Sequence, residues 1–159
     1  MRVFVDVEWE NETTRELVSL ALVTQDGQHR FYAERTPLPK APSNFVREVG
    51  PSALPDGAFF KELRVFLASL KDPLLIADSD LDFILLSHAL RGFGQQDLPS
   101  AVPYRYMLAT FGDVLTRIEE YLENRPHAKV RRHHAMVDTE ALRWAFEATI
   151  TSGSGPLEG

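Results

Sequence analysis

The sequence predicts an α/β domain with a mixed sheet, opening on an antiparallel meander and continuing through helical crossovers. Three observations carry this expectation. Residues 2–9 alternate in polarity, and Leu17 to Thr24 form a nearly continuous apolar run. Asp26-Gly27, a strong hairpin signal, separates that run from a third candidate strand. Beyond residue 57, stretches with helical periodicity alternate with short apolar strands, so the element order reads βββ-α-β-α-β-α-α.

In the first strand Val3, Val5 and Val7 point one way, while Phe4, Asp6 and Glu8 point the other, because side-chain direction repeats every two residues. The second strand, Leu17 to Thr24, has the composition of a strand covered on both faces. Gln28 to Glu34 is the predicted returning strand. Residues 36–57 carry five prolines and read as a loop, with room for a short helix from Asn44 to Val49. Phe59, Leu63, Phe66, Leu67 and Leu70 recur at helical spacing and predict a helix over 57–70. Pro73 to Ala77 is a short buried strand. Asp82 to Leu90 is an apolar helix stopped by Arg91-Gly92. A last strand is expected over 102–106, followed by amphipathic helices from Phe111 to Leu122 and from Asp138 to Thr149. Residues 1–150 form one expected domain, and the Gly/Ser-rich residues 151–159 an expected flexible tail.

Composition bounds the chemistry. A chain of 159 residues with 44% hydrophobic and 25% charged residues has the balance of an ordinary globular domain. It contains no cysteine, which excludes disulfides and thiolate zinc sites. A metal held by the remaining ligand types, carboxylate, imidazole and carbonyl, is expected to be a hard ion such as magnesium or manganese. The N-terminus reaches acidic residues too soon for a signal peptide, and no apolar run approaches the roughly 18 residues that suggest a membrane span. A cytoplasmic location away from any membrane is the expectation. A formal charge of −6 argues against tight non-specific binding to nucleic acid. It leaves a nucleic-acid substrate open, because bound cations and the basic stretch 125–134 can reverse the local sign.

Three segments concentrate groups able to do chemistry: V-D-V-E-W in the first strand, A-D-S-D-L-D after the fourth, and R-R-H-H-A-M-V-D before the last helix. Carboxylates with one histidine suit two magnesium ions and the activation of a water, hence phosphodiester hydrolysis. Each element also has an ordinary reading. Asp6 and Glu8 are either a cation-binding pair or a solvated strand face. His133, with an imidazole that ordinarily titrates near ~6.5, is either a general base or part of a basic helix start. Asp138 is then either a ligand, an N-cap or a group favoured by the helix dipole. One of Asp78, Asp80 and Asp82 is expected to cap the helix that follows. Trp9 is placed either to stack on a base or to pack inside. Lys129, Arg131 and Arg132 either hold phosphates or form a solvated loop.

These segments resemble the three motifs of the DEDDh exonucleases, the DnaQ-like group of the ribonuclease H-like superfamily. V-D-V-E, the Asp before F-I-L-L and H-H-A-M-V-D match in order, the last fitting H-x-A-x-x-D. S-N-F-V-R-E-V-G-P-S-A-L-P is similar to a segment of a small bacterial exoribonuclease-like branch. The resemblance spans most of residues 2–147. It implies a ribonuclease H-like fold with a five-stranded sheet and a 3′–5′ exonuclease acting on single-stranded RNA or DNA, RNA slightly favoured. Nucleoside 5′-monophosphates would be the products, and a homodimer the assembly. It further implies two Mg²⁺ or Mn²⁺ ions. Asp6, Glu8 and Asp138 would bind the first, Asp6 would bridge to the second, Asp82 would help hold that one, and His133 would be the base. Two stretches depart from the family pattern. Trp9-Glu10-Asn11-Glu12 stands where a small residue and Gly-Leu are usual, and D-S-D-L-D stands where H-N-x-x-F-D is common. Two rival classes share the same residues: a non-catalytic ribonuclease H-like module binding nucleic acid or protein, and a metal-dependent nucleotide phosphohydrolase.

Overall fold

The computed structural model describes residues 1–10, 16–37, 52–94 and 104–153. They form a six-stranded mixed sheet flanked by helices. The strands are β1 (Arg2–Glu10), β2 (Glu16–Thr24), β3 (Arg30–Thr36), β4 (Ala53–Pro55), β5 (Leu74–Ala77) and β6 (Arg105–Leu108), and the helices are α1 (Asp56–Ser69), α2 (Asp80–Leu90), α3 (Val114–Glu123), α4 (Pro126–Val130) and α5 (Ala135–Thr151). Strand order is β4-β3-β2-β1-β5-β6. The first three strands pair antiparallel, while β4, β5 and β6 add in parallel to β3, β1 and β5.

The alternation in β1 sorts the two cores. Val3, Val5 and Val7 join Leu20, Leu22, Phe59 and Leu63 on one face, under α1 and α2. Phe4 joins Ile76, Leu142 and Phe146 on the other, under α3 and α5. Phe4 and Phe146 meet edge to face at 5.4 Å between ring centres. Leu17 to Leu22 are buried without interruption, as a doubly covered strand requires. Helix α5 lies across β1 and β2. Asp6 and Glu8 therefore sit on the α5 side, beyond the end of the Phe4 core.

Several boundaries differ from the sequence expectation. The sheet has six strands rather than five, because Ala53–Pro55 pairs in parallel with Glu34 to Thr36. Three residues are too short to show a period. The hairpin turn is wider than two residues: β3 starts at Arg30, Gly27 takes φ +70°, and its N–H donates to the Thr24 carbonyl at 2.8 Å. Asp26 braces the turn by accepting from Thr24 Oγ1 at 2.6 Å and from the Gln28 N–H at 3.0 Å. Arg35 pairs bidentately with Asp56 at 2.7 and 3.0 Å, tying the start of α1 to β3. The last strand runs from Arg105 to Leu108, later than expected. Helix α5 begins at Ala135, three residues early, and continues to Thr151, into the expected tail. The stretch 126–130 is a short helix, α4, rather than loop. Helix α2 ends as its Gly predicts, with Gly92 at φ +71° and the Phe93 N–H donating to the His88 carbonyl at 3.1 Å. The expected helix Asn44–Val49, residues 102–103 and residues 154–159 lie outside the described residues.

Candidate active site

The parallel pairing of β1 with β5 builds the site. Phe4 is opposite Ile76 in that register. Two residues further along come Asp6, in the middle of β1 where that strand outruns its pairing with β5, and Asp78, just past the C-terminal end of β5, on the same face. Crevices outside such ends are the usual ligand sites of open α/β sheets. The chain then turns into α2. Ser79 caps this helix, its hydroxyl accepting from the Leu81 N–H at 3.2 Å. None of the three aspartates is the cap, contrary to the sequence expectation, since a serine at the correct offset does that work. Asp80 is exposed, whereas Asp82, in the first helical turn, is 5% exposed and points back to the strand ends.

Ligand atoms of Asp6, Asp78 and Asp82 all lie within 4.8 Å of one another, and those of Glu8, His133 and Asp138 form a second such group. These acidic groups could hold metal ions. Both groups line one cavity of about 630 Å³. Trp9, which follows a β-bulge at Glu8/Trp9, lines it too. The opposite wall comes from α3, through Leu115, Thr116, Ile118, Glu119 and Leu122.

Burial sets the electrostatics. Asp6 titrates well above the ordinary carboxylate range, chiefly because it is desolvated and also because Asp82, Glu8 and Asp138 surround it. Burial, the Asp138 charge and the proximity of the Asp138 carboxyl push Glu8 up to about 8. Asp82 is raised to about 7, first by burial and then by Asp78. Asp78 and Asp138 are raised as well, again mainly by burial. Asp6 Oδ2, Asp82 Oδ2 and Asp138 Oδ1 are buried without a hydrogen-bond donor among the described residues. Buried, donor-less carboxylate oxygens are costly as anions and fit coordination to a hard cation.

His133 is not on the last helix. It occupies the preceding turn with φ +68°, and its backbone N–H donates to Asp138 Oδ2 at 2.8 Å. That hydrogen bond joins the histidine to the carboxylate five residues on. The left-handed turn separates it from His134, which faces away from the cavity group and stacks on Tyr32 at 4.8 Å between ring centres. Burial holds His134 below the usual imidazole range.

Every catalytic and metal residue expected from sequence, Asp6, Glu8, Asp82, His133 and Asp138, reaches the cavity, as do Trp9 and Arg132. Lys129 and Arg131 do not line it and are exposed. Sequence reasoning held Asp78 only as a cap candidate or as a replacement for Asp82, not as a ligand beside it; the signal for that was its offset from Ile76, equal to that of Asp6 from Phe4. It passed over the α3 wall, including Glu119, which pairs with Arg132 at 2.6 and 2.8 Å. No protein-family model matches the chain, and no curated protein matches it. Fold and site together show an α/β domain with an acidic cavity beside β1 and β5 whose carboxylates could hold a metal ion. Among the described residues no helix is long and apolar enough to cross a membrane.

Proposed function

We propose that this chain is a 3′–5′ exonuclease of the DEDDh type on a ribonuclease H-like fold. It hydrolyses phosphodiester bonds of single-stranded nucleic acid, RNA slightly ahead of DNA, and releases nucleoside 5′-monophosphates. The observation that carries this reading is the convergence of Asp6, Glu8, Asp82 and Asp138, with His133, on one cavity.

The donor set fits two Mg²⁺ or Mn²⁺ ions. Glu8 and Asp138 would hold one, Asp82 and Asp78 the other, and Asp6 would serve both. Bound there, such ions lower the pKa of the attacking water and neutralise charge on the reacting phosphate. The carboxylates must be deprotonated to bind them, so the raised titration of Glu8 and Asp82 makes cation loading improve from pH 6 to 8. His133, exposed at the cavity wall, takes the proton of the attacking water on its imidazole nitrogen. Trp9, 38% exposed, and Leu115 give a terminal base an apolar surface to stack on. Arg132 offers a cation to the phosphate. A homodimer is the assembly this reading carries with it.

The test uses 5′-labelled RNA and DNA oligomers with Mn²⁺, with products resolved by length. Stepwise shortening from the 3′ end, abolished by EDTA, is expected. Oligomers left intact while free nucleotides are hydrolysed make the protein a nucleotide phosphohydrolase. Binding of oligomers with no turnover makes it a non-catalytic module.

A further inference from the structure

Arg132 is the only permanent cation among the described residues lining the cavity, against six carboxylates. Glu119 of α3, one of those six, takes both of its terminal nitrogens. Arg132 Nη1 donates to Oε2 at 2.8 Å and Nη2 to Oε1 at 2.6 Å. Both side chains are about half exposed. Half exposure lets solvent screen the pair, which limits what it adds to stability. The carboxylate takes the two-pronged position that a phosphate's oxygens favour on a guanidinium.

We propose that Glu119 is a built-in stand-in for the substrate phosphate, and that substrate binds by exchanging its phosphate for Glu119 on Arg132. The inference rests on the phosphodiester reading of the cavity and adds a residue that reading does not require. The exchange sets a threshold for entry. A phosphate must out-compete a tethered carboxylate, so weakly charged ligands leave the pair closed. The contact is also positioned to act on the site itself, since Arg132 directly precedes His133 in a turn whose backbone is already left-handed.

The probe is uridine 5′-monophosphate with Mg²⁺, titrated calorimetrically into the full chain, which requires no turnover. Glu119→Gln frees Arg132 and is expected to bind the nucleotide about five-fold tighter. Arg132→Ala is expected to bind it about ten-fold more weakly. In the double variant the gain from Glu119→Gln should vanish, because Glu119 acts only through Arg132. Melting temperatures of all three should stay close to the wild type, which sets aside misfolding. Equal or weaker binding by Glu119→Gln overturns the exchange. So does a gain that survives in the double variant, since removing any negative charge from an acidic cavity would produce it. If the oligomers stay intact but this binding order holds, the exonuclease reading falls and the exchange stands. If oligomers shorten but the order fails, the reverse is true.

Discussion

Replacing Asp82 with Asn should separate the demands of folding from those of chemistry. Asp82 is 5% exposed, and its titration is raised from 3.8 to about 7, mainly by desolvation. A raised carboxyl contributes stability that is fully present below its unfolded value, near 4, and is lost as pH rises through about 7. Above that point the metal-free folded chain carries an ionised, buried group at a cost of roughly 4 kcal/mol. Asn removes the charge but weakens acceptance from the backbone at Val7 and Ser79. The net gain is therefore about 2–3 kcal/mol, or roughly 5–10 °C in melting temperature. The assay is thermal unfolding in EDTA at pH 5 and pH 8, with turnover measured in Mn²⁺. The variant should melt near the wild type at pH 5, well above it at pH 8, and turn over at most at a few per cent of its rate. An Asp82→Asn melting temperature at pH 8 equal to or below the wild type would falsify the desolvation argument. A near-normal rate would leave the second ion to Asp78 and Asp6 and remove Asp82 from the ligand set.

Three further outcomes follow from the same geometry. Mg²⁺ or Mn²⁺ should raise the wild-type melting temperature, and more at pH 8 than at pH 6, because protons held by Glu8 and Asp82 compete with the cation; a pH-independent increment in a thermal-shift titration would refute this. His133→Ala should lose about 10²–10⁴-fold in turnover while still binding metal. His134→Ala should keep its turnover and lose about 0.5–1.5 kcal/mol with the Tyr32 stack, so a larger rate loss at His134 than at His133 reverses the assignment. Ser79→Ala should cost about 0.5–2 kcal/mol in denaturant unfolding, whereas the exposed Asp80→Asn should be near neutral; the opposite ranking would restore Asp80 as the cap.

Local periodicity determined much of this protein. Two-residue alternation put Asp6 and Glu8 on one face of β1, and helical spacing at Phe59, Leu63 and Leu67 marked the buried stripe of α1. Apolar continuity marked β2 as doubly covered. These patterns act over a few residues, so a sequence displays them directly. What needed the tertiary structure depends on partners distant in the chain. Strand β4 exists only because Glu34 to Thr36 present an edge for it. Asp78 became a site residue through the register of β1 against β5, and Glu119 through the packing of α3 beside the His133 turn. His133 itself was legible as a residue type, but its separation from His134 required a left-handed backbone held by Asp138. Pairing, register and turn geometry are decided by contacts that form only when remote segments meet, and no window of sequence contains both sides of such a contact.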